Sequence, residues 1–254
     1  MSESSKDMRM IEIEKTFLPA ISLGTSPFLG AGQFGRRAQD YYRHFYLQPE
    51  NMISLIIKAV ELGVEAVQIV ACERTVDAFR KAQERVSKNL HSTAVIGLED
   101  WQSELAGVTH LKPAIIFIHA RLSDSLNLSL IRKICEEIRE KGLVPGCATH
   151  IPERTIPALD KEGLDIKAYL APINSLGLFM GPNPCKALEV IEQTNKVIIA
   201  KKVLAAGNLH PEEGIAYVSR ISNIKGLALG IASEKEAEET LNIGLKHYNN
   251  YNRR

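Results

Sequence analysis

The sequence predicts a (β/α)8 barrel, and three observations carry that expectation. Eight apolar runs of β type recur along the chain, at 19–23, 64–71, 93–98, 114–119, 143–147, 166–171, 197–201 and 226–230. Each is followed by a stretch with helical spacing and polar punctuation. The 254 residues and 45% hydrophobic content suit one core of barrel size. One domain spanning residues 1–254 is therefore expected. An open doubly wound sheet is the competing architecture, but no early strand is followed by GxGxxG. The cluster GAGQFG at 30–35 sits in a loop without the right helix behind it, and reads as loop flexibility rather than phosphate binding.

At the start, Ile11 and Ile13 alternate with charges before Phe17 and Leu18, which predicts a short hairpin over 10–21 leading into the first strand. The segment 24–48 is long for a βα connection and carries Tyr41, Tyr42 and Tyr46; loops of that length are usually functional or mobile. Pro49 opens the next helix, Ile53, Ile56, Ile57 and Val60 form its apolar stripe, and Gly63 ends it. Runs 114–118 and 197–200 are continuously apolar, as strands buried on both faces should be. Between them a helix runs to Lys141, with Ser123 or Asp124 as its cap, a stripe of Leu130, Ile131, Ile134, Cys135 and Ile138, and Gly142 as its stop. Ser233 with Glu236 three residues on reads as a capping box for the last helix.

Composition narrows the function classes. Thirty-one basic and 30 acidic residues leave a formal charge of +1. With no long block of one sign, neither nucleic acid nor an anionic membrane is suggested as partner. The first seven residues are polar and unlike a secretory signal. The longest uncharged stretch, 168–185, is too interrupted by Pro172, Asn174, Pro182, Asn183 and Pro184 to span a membrane. Four cysteines (Cys72, Cys135, Cys147, Cys185) lack zinc-finger spacing and read as reduced thiols of a cytoplasmic protein.

Six segments in order, ISLGTSPFLG (21–30), AVELGVEAVQIV (59–70), IIFIHARLSD (115–124), APINSLG (171–177), IIAKKVLAAGNL (198–209) and GIASEKEAEETL (230–241), resemble the aldo-keto reductases. The resemblance implies a TIM barrel of aldo-keto reductase type with an N-terminal β-hairpin closing its floor. It also implies an Asp–Tyr–Lys–His tetrad around a nicotinamide cofactor. Here the Asp position holds Gln68, the Tyr position Glu73, and the Lys position Gly97 or Leu98; His119 alone survives. A Glu near its ordinary pKa of ~4.3 is ionised at neutral pH and can only accept a proton. Burial would have to raise Glu73 for it to act as donor, or Tyr41, Tyr42 or Tyr46 would have to swing in.

On the same resemblance Lys202, Leu204 and Gly207 match the turn that wraps a pyrophosphate. Ile231, Ala232 and Ser233 match the approach to a phosphate-holding helix end, Glu239 and Thr240 the adenine contacts, and Asn174 the nicotinamide carboxamide contact. Glu236 stands where NADP-preferring members carry a basic residue, so NAD is favoured over NADP. The implied function is an NAD(P)-dependent oxidoreductase acting on a small carbonyl compound, with a degenerate tetrad and with His119 and Glu73 at catalytic positions. Two alternatives stay open. One is a non-catalytic barrel binding a dinucleotide or another phosphorylated ligand. The other is a metal-assisted hydrolase or lyase using strand-end Glu73, His119 and His150, with Cys72, Cys147, Glu99 and Asp100 nearby in sequence order. Lys201–Lys202 also admits a Schiff-base lysine, which needs a depressed pKa in a dry pocket.

Overall fold

A computed structural model describes residues 8–250 of the chain. It opens with an antiparallel hairpin, β1 (Met10–Ile13) and β2 (Thr16–Pro19), with Ile11 opposite Leu18. Strand alternation sets its faces: Ile11 and Ile13 are buried, Met10 and Glu12 exposed. The eight strands that follow are β3 (Ile21–Gly24), β4 (Ala66–Val70), β5 (His91–Ile96), β6 (Ile115–Ile118), β7 (Pro145–Ala148), β8 (Ala168–Pro172), β9 (Val197–Lys201) and β10 (Ile224–Gly230). They pair in parallel and close into a barrel in the ring order β10–β3–β4–β5–β6–β7–β8–β9. Each contains most of one predicted run. The first run is split, because Pro19 ends the hairpin and the barrel starts at Ile21.

The helices are α1 (Arg37–Tyr41), α2 (Pro49–Glu61), α3 (Glu73–Val86), α4 (Trp101–Thr109), α5 (Ala120–Ser123), α6 (Leu128–Glu140), α7 (Pro152–Lys161), α8 (Pro184–Gln193), α9 (Pro211–Ser219) and α10 (Glu234–Asn250). Their apolar stripes bury against the sheet as expected: Ile53 and Ile56 in α2, and Ile131, Ile134, Cys135 and Ile138 in α6. The hairpin closes the end where the strands begin. A Cβ on Gly226 would lie 2.6 Å from Cδ1 of Ile11. The glycine thus leaves the room that the hairpin's side chain fills.

One expectation changes. The cap of α6 is Asn127, whose Oδ1 accepts the Leu130 N–H at 3.2 Å. Ser123 and Asp124 instead close the short α5, because the Asp124 carboxylate is drawn to groups beyond β7. The segment 24–48 is largely ordered into short turns: 3₁₀ turns Ser26–Leu29 and Gly32–Phe34, then α1 and a π-type turn Tyr42–Tyr46. Phe28 and Phe45 are buried with ring centroids 4.8 Å apart. Gly30 has φ +59°, and a Cβ there would overlap the Ala38 carbonyl oxygen, so this glycine serves a close backbone approach. Among the described residues no helix is long and apolar enough to cross a membrane. The four cysteines are free, with Cys135 and Cys147 buried.

Candidate active site

The carboxyl ends of the strands open on a cavity of about 590 Å³. Its wall includes Gln68 from β4, Lys201 from β9, and His119 and His150 just past β6 and β7. Phe34, Arg37 and Tyr41 of the long first loop complete it.

His119 is the N-cap of α5, and its Nδ1 accepts the Arg121 N–H at 3.1 Å. That bond assigns the proton of the neutral ring to Nε2, leaving one N–H donor. Burial, then the charges of Lys201 and Arg121, pull the imidazole down to about 4, so it is neutral at physiological pH. The ring of His150, a residue exposed at the cavity mouth, lies 6.2 Å from that of His119, and its pKa is lowered by partial desolvation and by Lys201, Lys202 and His119. Asp124 fixes this corner. Its carboxylate accepts from Thr149 Oγ1 (2.6 Å), Thr155 Oγ1 (2.7 Å) and the His150 N–H (2.9 Å), and the Arg154 guanidinium bonds its backbone carbonyl.

Across β9 sit two lysines. Burial, then Lys202, lower the Lys201 amine to about 7; burial lowers Lys202 to about 8. Lys202 has a left-handed backbone (φ +55°), and its ammonium lies 4.6 Å from the Phe179 ring centroid. Among the described residues, the successive N–H groups of Lys202, Val203 and Leu204 have no protein acceptor. Arg37 reaches over the same turn, with Nη2 donating to the Ala206 carbonyl at 2.6 Å. Gly207 (φ +87°) permits this, since a Cβ there would meet that guanidinium at 2.8 Å. The result is a cradle of N–H groups and cations suited to an anion.

The cavity gathers most, but not all, of the residues matched to a dinucleotide. Lys202, Leu204, Gly207, Ala232, Glu239 and Thr240 line it. Ile231 is buried, and Ser233 caps α10 by accepting the Glu236 N–H at 3.2 Å; neither is on the wall. The Glu236 carboxylate accepts the Ala232 N–H (2.9 Å), completing the expected box one residue further back. The Asn174 amide donates to the carbonyls of Leu178 (2.8 Å) and Lys202 (3.3 Å), and its Oδ1 accepts the Leu178 N–H (3.1 Å). Those bonds tie the 174–178 turn to the end of β9 and leave the side chain off the cavity wall.

At the tetrad positions the geometry is equally specific. Gln68 is 5% exposed and its buried Nε2 has no partner. Glu73 begins α3 as an exposed residue away from the cavity wall, because Cys72 takes the N-cap and turns it outward. Gly97 has φ +94° and gives its N–H to the Glu104 carboxylate. Of the tyrosines, Tyr41 alone lines the cavity, with its phenol pKa raised by burial and by Glu236. Its phenol faces Glu236 of α10, the helix that follows β10, while His119 follows β6 on the other side of the ring. Tyr42 and Tyr46 stack on each other, centroids 4.7 Å apart.

The metal constellation does not assemble. Cys147 is closed in the core, Glu99 is exposed, and Asp100 caps α4 through the Gln102 N–H and Ser103 hydroxyl. Only His119 and His150 of that set share the cavity, and no group of three or more His, Cys, Asp or Glu residues suited to a metal occurs among the described residues.

No family model and no curated protein matches the sequence. Solved structures do match in fold. A putative aldo-keto reductase from Pseudomonas aeruginosa aligns with TM-score 0.64 at 13% identity, covering 94% of each chain. An aldo/keto reductase from Brucella melitensis aligns at 0.63 and 12% identity, covering 96% of this chain and 98% of that one. An aldo-keto reductase from a Medee basin deep-sea metagenome library aligns at 0.61 and 11% identity, over 95% and 94%. The chain thus has the aldo-keto reductase fold, a TIM barrel with an N-terminal hairpin.

Proposed function

We propose that this barrel is an aldo-keto reductase-like oxidoreductase that holds NAD and a small carbonyl compound in one cavity. The observation that carries the reading is the shared wall: His119 lines the same cavity as Lys202, Leu204, Gly207, Ala232, Glu239 and Thr240. The chemistry of these groups fits a dinucleotide. The N–H cradle after β9, with Lys202 and Arg37, suits a pyrophosphate. Glu239 and Thr240 can bond an adenosine end. Glu236, on the Ala232 N–H, would repel a 2′-phosphate, which favours NAD over NADP. When bound, the dinucleotide supplies hydride chemistry.

The residues of the chain orient and polarise the carbonyl, and the proton that completes the alcohol comes from solvent. His119 presents Nε2–H to the substrate oxygen and, being neutral, polarises the carbonyl as a hydrogen-bond donor rather than an acid. Arg121 holds the ring through its backbone N–H. His119→Ala is expected to lower aldehyde-dependent NADH consumption about 10²–10³-fold, the usual cost of removing one such donor. Unchanged turnover in that variant would remove His119 from the reaction. A second reading, a barrel that binds without reducing, is favoured by Gln68, exposed Glu73 and Gly97 at the tetrad positions. Saturable NADH binding without consumption of any aldehyde in a broad panel is its signature.

A further inference from the structure

We propose that Lys201 is an imine-forming nucleophile, whose amine condenses with the aldehyde or ketone group of a small anionic molecule held by Lys202 and the N–H groups after β9. The inference uses the same cavity but stands without any dinucleotide.

Four observations converge on it. Lys201 is the last residue of β9, at the strand end where a barrel carries its reactive groups, and it lines the cavity. Its amine makes no hydrogen bond or ion pair among the described residues. The carboxylate that acts on it, Asp124, is already occupied by Thr149, Thr155 and the His150 N–H. Val70, Val95, Leu170 and Leu229 supply an apolar lining, and the anion cradle begins one residue further along the chain. Lys201 is half-buried at the cavity wall, and a lysine kept there without a partner is costly; its usual chemical use is as a neutral amine.

The groups facing it set its protonation. Lys202 opposes the ammonium form, His119 and His150 are held neutral beside it, and Asp124 favours the charge weakly. With the amine held at about 7, roughly half of it is nucleophilic at pH 7. A lysine at the ordinary ~10.4 is nucleophilic in roughly one molecule in 2,500.

The step balances without an oxidant or reductant. The Nζ lone pair attacks the carbonyl carbon, a C–N bond forms, and the C=O π pair moves to oxygen. That oxygen takes a proton released from Nζ, giving a carbinolamine. Protonation of the hydroxyl by solvent and loss of one water leave the protonated C=N bond.

The test is reductive trapping. The full-length protein, free of nucleotide, is incubated with glycolaldehyde phosphate, or with glycolaldehyde as the uncharged comparison, and sodium borohydride; adducts are located by peptide mass mapping. The expected result is one dominant adduct on Lys201, formed faster with the phosphorylated aldehyde and half-maximal in rate near pH 7. Lys201→Arg should abolish it, while Lys141→Arg on the exposed surface leaves it intact. Label spread over surface lysines with Lys201 bare in the wild-type map would overturn the proposal, whether or not the arginine variant folds. The outcome is independent of NADH binding: trapping without NADH binding would sink only the reductase reading, and NADH binding without trapping only this one.

Discussion

Residue identity and residue direction separate at this site. His119 was legible from FIHARLSD, because a polar residue ending a continuously apolar run must stand at a strand mouth. The doublet Lys201–Lys202 was equally visible, but nothing in the letters says that Lys201 lacks a carboxylate partner or that Asn174 spends its amide on the backbone. Those facts depend on which neighbours the barrel brings close. They have a measurable consequence for stability. Between about 7 and the ordinary ~10.4, the unfolded chain binds more protons at Lys201 than the native state does. Stability contributed by this site therefore rises with pH across that window and is lowest below it. Lys201→Met should stabilise the protein at pH 7 by on the order of 1–3 kcal/mol, measured by urea unfolding, with the gain fading towards pH 10. A destabilised Met variant at pH 7 would mean that the lysine is satisfied in a way the geometry does not suggest.

Among the elements, the apolar stripes and caps of α2 and α10 could be read from spacing alone, because i, i+3, i+4 periodicity and cap chemistry are local. The α6 cap could not. Asp124 and Asn127 are both competent N-caps, and the choice is made by a long-range demand: Thr149, Thr155 and the His150 N–H compete for Asp124. That carboxylate joins the end of α5 to the start of α7 and holds the wall that carries His150. Asp124→Ala leaves two hydroxyls and an N–H without their acceptor, at an expected cost of roughly 2–4 kcal/mol. Thermal unfolding measures it, and a change within about 0.5 kcal/mol, the range of an ordinary surface substitution, would show the junction to be dispensable.

The closed ring of the whole molecule follows from eight apolar runs alternating with helical segments, but its floor depends on the hairpin. Ile11, Ile13 and Leu18 are buried, and Glu14 at the hairpin turn pairs with Arg139 of α6 at 2.7 Å, which also meets Asp165 at 2.5 Å. Ile11→Ala opens a void beside Gly226 and should cost about 2–4 kcal/mol in urea unfolding; a loss below about 0.5 kcal/mol would detach the hairpin from barrel stability. At its other end the ring holds, in one cavity, both the His119 corner and the N–H cradle after β9 that we propose takes NAD. Fluorescence titration with NADH and NADPH tests this most directly. Saturable NADH binding is expected, with weaker binding of NADPH and a preference moved towards NADPH in Glu236→Lys by about tenfold. Failure of both nucleotides to bind the folded wild-type protein would contradict it.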